Sequence, residues 1–83
     1  MKNILIVTGG AGFVGSNLIK FLLKKTNYKI ISIDNYSSGL KINHIKNSRV
    51  KYIKDDTKNI FSIIKNPKKI KVVFHFGEFV RIY

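Results

Sequence analysis

The sequence contains no cysteine, which excludes disulfide bonds and metal sites built on thiolates. Its two histidines, His44 and His75, lie far apart along the chain and lack the spacing of a metal site. The apolar run near the N-terminus, residues 4–7, is too short for the core of a signal peptide or for a membrane span. From these absences we expect a cytoplasmic protein with no metal site.

Acidic residues are also few. Four Asp and Glu stand against 16 Lys and Arg, which gives a net charge of +12. Such a charge is typical of proteins that bind nucleic acid. The lysines, however, are scattered along the chain, and the closest groups, Lys24 with Lys25 and Lys68 with Lys69 and Lys71, fall where a helix ends or a loop runs. We therefore favour a solvated basic surface and keep a nucleic-acid-binding protein as the less favoured alternative.

Strands and helices alternate in what the sequence does contain. The chain is long enough for one small domain, and its hydrophobic share of 45% is sufficient for a globular core. Apolar runs predict strands at residues 3–7, 29–33, 50–53 and 71–76. Helical spacing predicts helices at residues 13–25 and 58–65 and a short helix at 40–46. This alternation indicates a parallel sheet with right-handed crossovers.

A glycine-rich segment joins the first predicted strand to the first predicted helix. Residues 10–15 match the pattern G-x-G-x-x-G, and Gly9, Gly12 and Gly15 match a variant with three-residue spacing. In a dinucleotide-binding turn the early glycines allow a sharp bend, Gly12 allows the backbone to approach a pyrophosphate, and Gly15 allows the helix to pack close to the strand. The helix N-terminus then offers free N–H groups to the phosphates. The motif therefore predicts dinucleotide binding, and a glycine-rich turn without a ligand is the less favoured interpretation.

Asp34 follows the second predicted strand, about 20 residues after the glycines. In dinucleotide-binding proteins an acidic residue at this position accepts hydrogen bonds from the hydroxyl groups of the adenosine ribose. Its carboxylate would repel the 2′-phosphate of NADP. The four residues that follow, 35–38, contain no Lys or Arg that could bind such a phosphate. We therefore predict NAD as the cofactor. The alternative is an aspartate that is solvated or only caps a loop.

Four segments together resemble a known family. The segments TGGAGFVGSNL, IDNYSSG, KDDTKN and VVFHFGE are similar to the successive N-terminal motifs of the extended short-chain dehydrogenase/reductase family. Within it they most resemble the NAD-dependent sugar-nucleotide epimerases and dehydratases of the UDP-glucose 4-epimerase type. The resemblance spans nearly all of this chain but only the first quarter to third of a typical family member.

The resemblance implies which residues contact NAD. Phe13 and Val14 match the pair whose backbone contacts the pyrophosphate. Asp34 and Asn35 match the pair that binds the ribose. The residues that would line the adenosine end of the site are Tyr36, Ser37, Ser38 and Gly39.

The adenine ring has its own candidate partner in the resemblance. Asp56, followed by Thr57, matches the acid that accepts a hydrogen bond from the adenine amino group. Asp55 stands where the family usually has glycine, so either acid could hold that role. We prefer Asp56.

The segment after the fourth predicted strand would pass beside the cofactor. Phe76 and Gly77 match it, whereas Glu78 stands where the family commonly has a second small residue. This departure leaves the substrate and the subfamily open. We expect His75 to be a core histidine hydrogen-bonded to backbone, with a catalytic histidine as the alternative.

The family's catalytic tyrosine and lysine, spaced as YxxxK, are missing, because none of the four tyrosines has a Lys four positions later. The resemblance therefore implies that residues 1–83 are the N-terminal portion of an NAD-binding Rossmann domain, without its catalytic half or substrate domain. We expect a partial Rossmann α/β fold with a parallel sheet of about four strands in the order 3-2-1-4 and flanking helices. We expect NAD binding without catalysis by these residues alone, a nucleotide sugar only if the missing part is supplied, and association through the exposed sheet edge. The alternative is a stand-alone nucleotide-binding module.

Overall fold

One parallel sheet organises the chain. The computed structural model describes residues 2–36, 40–55 and 67–75. Within them the strands are β1 (Ile4–Thr8), β2 (Lys29–Asp34), β3 (Val50–Lys54) and β4 (Ile70–His75), and the α-helix is α1 (Phe13–Lys25). Two short 3₁₀ helices, Lys41–Asn43 and Pro67–Lys69, precede β3 and β4. The strand order is β3-β2-β1-β4 and every pairing is parallel, which confirms the predicted α/β class and topology.

The centre of the sheet is the most deeply buried part of the molecule. β1 pairs with β2 on one side and with β4 on the other, so that Ile6 lies between Ile31 and Val73. Leu5, Ile6 and Val7 are all buried. A strand that is covered on both faces carries apolar residues on both faces. This explains why the residues of β1 form a continuous apolar run. The carboxyl ends of β1 and β2 therefore form a rigid base for the segments that follow them.

The helix α1 covers one face of the sheet. Its residues Ile19 and Leu22 pack with Leu5 and Val7 of β1 and Ile30 of β2. The helix begins and ends at the predicted residues, because Gly12 precedes it and Thr26 caps its C-terminus through Leu22. Lys24 and Lys25 lie exposed in its last turn, where the helix dipole favours cations.

Three apolar residues of α1 are exposed. Phe13 is 79% exposed, Val14 58% and Phe21 55%. Phe21 lies outside the narrow stripe that Ile19 and Leu22 present to the sheet. Phe13 and Val14 lie at the first turn of the helix, beyond the sheet edge, so packing does not account for their apolar side chains.

An arginine that the sequence analysis did not single out ties the end of α1 to the start of β3. The guanidinium group of Arg49 donates hydrogen bonds to the carbonyl oxygens of Leu23 at 2.6 Å, Thr26 at 2.7 Å and Tyr28 at 3.1 Å. The last carbonyls of a helix have no partner within the helix, and they carry the negative end of its dipole. Arg49 satisfies one of these carbonyl groups, that of Leu23, and its other two hydrogen bonds fix Thr26 and Tyr28, which follow the helix.

The remaining predicted elements differ from the structure in extent. The predicted short helix at 40–46 is a single 3₁₀ turn, Lys41–Asn43, and each of the four strands differs by at most one residue at either end. The predicted helix at 58–65 lies outside the described residues. β4, whose apolar composition suits an interior strand, contains no fully buried residue among those described. In the part of the chain that the structure describes, no helix is long and apolar enough to cross a membrane.

Candidate functional site

The glycine-rich turn lies at the carboxyl end of β1. Gly9 adopts a φ of 73°, a left-handed conformation that only glycine takes without strain. Its N–H donates to the carbonyl oxygen of Ile33 in β2 at 2.8 Å, and the N–H of Gly12 donates back to the Gly9 carbonyl oxygen at 3.0 Å. The turn is thus closed on itself and joined to the neighbouring strand.

The glycines of the turn are required for different reasons. A Cβ atom on Gly10 would overlap Ser32 Oγ and lie 2.8 Å from Ser32 Cβ. A Cβ on Gly15 would overlap the Gly9 carbonyl oxygen and lie 2.8 Å from Gly10 Cα, so Gly15 brings the helix close to the turn and not to the strand itself. On Gly12, by contrast, the nearest described atom would be the Gly9 carbonyl oxygen at 3.3 Å. Packing among the described residues therefore excludes a side chain at position 12 less strictly than at positions 10 and 15.

The N-terminus of α1 opens directly beside Gly12. Among the described residues no side chain caps this end of the helix, and its first turn carries no acidic residue. The backbone N–H groups of Phe13 and Val14 have no acceptor within the helix because of the helical geometry. Together with the positive end of the helix dipole they form an arrangement that suits an anion such as a phosphate.

Asp34 stands beside this turn at the end of β2. Its side chain is only 6% exposed. Oδ2 accepts a hydrogen bond from the Ala11 N–H at 3.0 Å, and Oδ1 accepts one from the Tyr36 N–H at 2.7 Å. A carboxylate oxygen has two lone pairs, so each oxygen can still accept a hydrogen bond from a hydroxyl group of a ligand. The carboxylate is thus held in one orientation next to the glycine-rich turn.

The segment that follows β2 also contacts the turn. The carbonyl oxygen of Ala11 accepts hydrogen bonds from the Leu40 N–H at 3.0 Å and from Asn43 Nδ2 at 2.7 Å. No motif in the sequence indicates Asn43 as a site residue. Its partner lies 32 residues earlier, and no spacing rule connects the two positions.

An aromatic cluster borders the site on the side of β3. Tyr36, which has a φ of 63°, is hydrogen-bonded through its hydroxyl group to His44 Nε2. The His44 ring stacks on the Tyr52 ring with centroids 3.8 Å apart and planes 8° from parallel. The Tyr52 hydroxyl oxygen accepts a hydrogen bond from the Ile45 N–H at 2.8 Å. These contacts hold Tyr36 in a conformation that is uncommon for a residue with a side chain.

Burial raises the pKa of both tyrosine hydroxyl groups in this cluster above the ordinary value. For Tyr36 burial is the largest cause, followed by the negative charge of Asp34 and the proximity of Tyr52. For Tyr52 burial outweighs the opposing effect of the hydrogen bond from Ile45. Both hydroxyl groups therefore stay protonated at neutral pH, and each keeps a hydrogen to donate.

His75 and Thr8 meet at the other side of β1. The Thr8 hydroxyl oxygen lies 2.8 Å from His75 Nδ1, and β1 and β4 are in register at these two residues. The partner of His75 Nδ1 is thus a side chain, and a hydrogen bond from His75 to backbone stays a prediction. The half-buried position of His75 at the end of β4 fits the expected structural histidine.

The structure brings eight of the predicted site residues to the carboxyl ends of β1 and β2, namely Gly9, Gly12, Phe13, Val14, Gly15, Asp34, Asn35 and Tyr36. The other seven lie outside the described residues, and they are Ser37, Ser38, Gly39, Asp56, Thr57, Phe76 and Gly77. Asp55 is described, and its N–H donates to the Asp34 carbonyl oxygen at 3.0 Å. Among the described residues no three His, Asp or Glu side chains are grouped as metal ligands.

A parallel sheet in the order β3-β2-β1-β4, with a glycine-rich turn between its first strand and first helix, defines a partial Rossmann fold. Residues 5–81 match the model of the NAD dependent epimerase/dehydratase family. The chain belongs to this family. The predicted resemblance is thereby confirmed, and the predicted cofactor is the one that the family description names.

Comparisons of sequence and structure with individual relatives support membership of this family. The chain is 34% identical over 76 residues to ADP-L-glycero-D-manno-heptose-6-epimerase of Alkalilimnicola ehrlichii, which covers 89% of this chain and 24% of the relative. The structure of WbmF from Bordetella bronchiseptica in complex with NAD⁺ superimposes with a TM-score of 0.77 at 32% identity, over 90% of this chain and 23% of WbmF.

UDP-glucose 4-epimerase of Thermotoga maritima, solved with UDP-glucose, gives a TM-score of 0.67 at 32% identity, over 88% of this chain and 23% of that enzyme. The chain therefore spans about a quarter of the length of the relatives it matches.

Proposed function

We propose that this chain binds NAD, with the pyrophosphate at the N-terminus of α1 and the adenosine ribose at Asp34. The observation that carries the proposal is the N-terminus of α1, which no described side chain caps and whose first turn carries no acidic residue. The fixed carboxylate of Asp34 stands 3.0 Å from the Ala11 N–H in the same turn. Membership of an NAD-dependent family supports the same cofactor.

The roles of the residues follow from this placement. The N–H groups of Phe13 and Val14 would donate to the pyrophosphate, because they open the helix and have no acceptor within it. Asp34, with Asn35 beside it, would accept hydrogen bonds from the ribose hydroxyl groups. Further contacts are proposed from the family resemblance, to the adenosine from Tyr36, Ser37, Ser38 and Gly39, to the adenine from Asp56 and Thr57, and beside the cofactor from Phe76 and Gly77.

The choice of NAD over NADP rests on charge. A carboxylate that already accepts two backbone N–H groups has no hydrogen to offer a 2′-phosphate, and its negative charge repels one. Residues 35–38 contain no Lys or Arg that could compensate. We therefore propose NAD as the preferred cofactor.

We further propose that these 83 residues form the N-terminal portion of the cofactor-binding domain of a sugar-nucleotide epimerase or dehydratase. The names of the relatives support this class. When bound, NAD supplies a group that takes up and returns a hydride. The chain's own residues would hold and orient it, whereas none of the four tyrosines has the Lys at four positions that the family uses for proton transfer. Binding of a nucleotide sugar would need residues beyond these, and a cytoplasmic location remains a prediction.

Calorimetric titration of the 83-residue chain tests the proposal. We expect saturable binding of NAD, and we expect binding of NADP to be weaker by about tenfold or more because of the charge on Asp34. A chain that binds neither dinucleotide, or that prefers NADP, contradicts the proposal. The same preparation is expected to convert no UDP-glucose in the presence of NAD, and measurable turnover would contradict the assignment of a cofactor-binding portion without catalysis.

A further inference from the structure

Ala11 is held from both sides by residues outside the glycine-rich turn. It is fully buried and lies between Gly10 and Gly12. Its N–H donates to Asp34 Oδ2, and its carbonyl oxygen accepts hydrogen bonds from the Leu40 N–H and from Asn43 Nδ2. The polar groups of this one residue are therefore fixed by the end of β2 and by the segment that follows it.

The peptide that joins Ala11 to Gly12 is fixed at both of its ends. Its carbonyl oxygen contacts Asn43 at 2.7 Å, and its N–H donates to the Gly9 carbonyl oxygen at 3.0 Å. A peptide is planar, so two hydrogen bonds at opposite edges determine its orientation. Glycine on either side of Ala11 would otherwise allow many backbone conformations. The next two N–H groups along the chain are those of Phe13 and Val14, the proposed donors to the pyrophosphate.

Of the two donors to the Ala11 carbonyl oxygen, only Asn43 acts through its side chain. The N–H of Leu40 is backbone, and almost any residue could supply it. Asn43 ends the 3₁₀ helix Lys41–Asn43, in which its own N–H donates to the Leu40 carbonyl oxygen at 3.0 Å. This turn places the Leu40 N–H and the Asn43 carboxamide on the same carbonyl oxygen.

We propose that Asn43 is a positioning residue for the pyrophosphate of the dinucleotide. It does not contact the cofactor. It acts by orienting the Ala11–Gly12 peptide so that the N–H groups of Phe13 and Val14 are both directed at the pyrophosphate. The inference rests on the proposed function. It adds to that function a residue in the segment after β2, which links the adenosine end of the site to the phosphate end.

The test separates the two ends of the ligand. Binding of ADP-ribose, which contains the pyrophosphate, and of adenosine, which does not, is measured by NMR titration for the wild-type chain and for Asn43→Ala and Asn43→Asp. The Asp variant keeps the shape of the side chain, replaces the donor by an acceptor and adds a negative charge, so Asn43→Ala is the variant that decides the test. Asn27→Ala is the matched control, because Asn27 is exposed near the opposite end of α1.

We expect both Asn43 variants to bind ADP-ribose about three- to tenfold more weakly, the range for loss of one hydrogen bond, with an unchanged affinity for adenosine. Asn27→Ala should match the wild type for both ligands. Unchanged affinity for ADP-ribose in Asn43→Ala would overturn the inference. A parallel loss for both ligands, or a variant that no longer folds, would also overturn it, because Asn43 would then support the fold in general. A wild-type chain that binds neither ligand would instead contradict the proposed function itself.

Discussion

The carboxylate of Asp34 accepts a hydrogen bond of 3.0 Å from the backbone N–H of Ala11, so that the last residue of β2 holds the turn that follows β1. The carboxyl ends of adjacent parallel strands lie side by side, which brings these residues together although 23 positions separate them. The residue proposed to bind the ribose therefore also orders the turn proposed to bind the pyrophosphate. Substitution of Asp34 should therefore affect both binding and stability.

Substitution of Gly12 should separate binding from folding. Gly12→Ala is expected to lower stability less than Gly15→Ala, because its Cβ would lie 3.3 Å from the Gly9 carbonyl oxygen without overlapping it, yet to bind NAD at least about tenfold more weakly. Gly15→Ala, the same change three residues later, should lower the free energy of unfolding by about 1–3 kcal/mol through overlap with the Gly9 carbonyl oxygen. Thermal denaturation and calorimetry with NAD measure the two effects. Wild-type affinity for NAD in Gly12→Ala would show that the pyrophosphate lies elsewhere.

Substitution of Asp34 should weaken both binding and folding. Asp34→Ala removes the acceptor of two backbone N–H groups, and leaving the buried Ala11 N–H without a partner should lower the free energy of unfolding by about 1–3 kcal/mol. The affinity for NAD should fall by a further 1–3 kcal/mol or so, the value of a hydrogen bond to a charged group, while the affinity for NADP falls less. Chemical denaturation and titration with both dinucleotides provide the measurements. Equal losses for NAD and NADP would remove Asp34 from the ribose-binding role.

Local sequence patterns were sufficient to predict the framework of this site. An apolar run, a glycine-rich turn and an amphipathic segment predicted β1, the turn and α1 with nearly correct bounds, because each pattern reports on the conformation of adjacent residues. The position of Asp34 followed from the same logic, since it ends the next strand. The strand order came from the resemblance to a family.

The residues that hold the site in place could not be predicted in this way. Asn43 contacts Ala11, which lies 32 positions earlier in the chain. Arg49 contacts Leu23, at a separation of 26 positions. Such contacts exist only after the strands have paired, so neither spacing nor composition predicts them. For Arg49 one signal was present: arginine is rare in this lysine-rich chain, and its planar group with five donors suits several carbonyl oxygens at once. Helical spacing alone also does not distinguish apolar residues of a core from apolar residues exposed at a helix end, where Phe13 and Val14 lie.

Arg49 should matter for stability and not for binding. Arg49→Ala removes the donor to the carbonyl oxygens of Leu23, Thr26 and Tyr28, and we expect the free energy of unfolding to fall by about 2 kcal/mol. The free energy of unfolding of Arg49→Lys should lie between those of the wild type and Arg49→Ala, because an ammonium group cannot reproduce the forked geometry of the guanidinium group. Lys46→Ala, an exposed neighbour, is the control and should change stability by less than about 0.5 kcal/mol. Urea denaturation provides the measurement, and an Arg49→Ala variant as stable as the control would contradict a capping role.

The aromatic cluster should make the fold sensitive to alkaline pH. The pKa of Tyr52 is raised in the folded state, chiefly by burial, so that the unfolded chain loses this proton first as the pH rises through about 10. The stability that Tyr52 contributes is therefore fully present below its unfolded pKa and is lost as the pH rises through the folded pKa. Tyr52→Phe should be less stable than the wild type at about pH 8, because the Ile45 N–H loses its acceptor. The difference should narrow at about pH 11, where only the wild type has this hydroxyl group to ionise on unfolding. Urea denaturation of both proteins across this pH range is the measurement. A constant difference would show that Tyr52 ionises equally in both states, and a widening difference would show that folding lowers its pKa; either result contradicts the prediction.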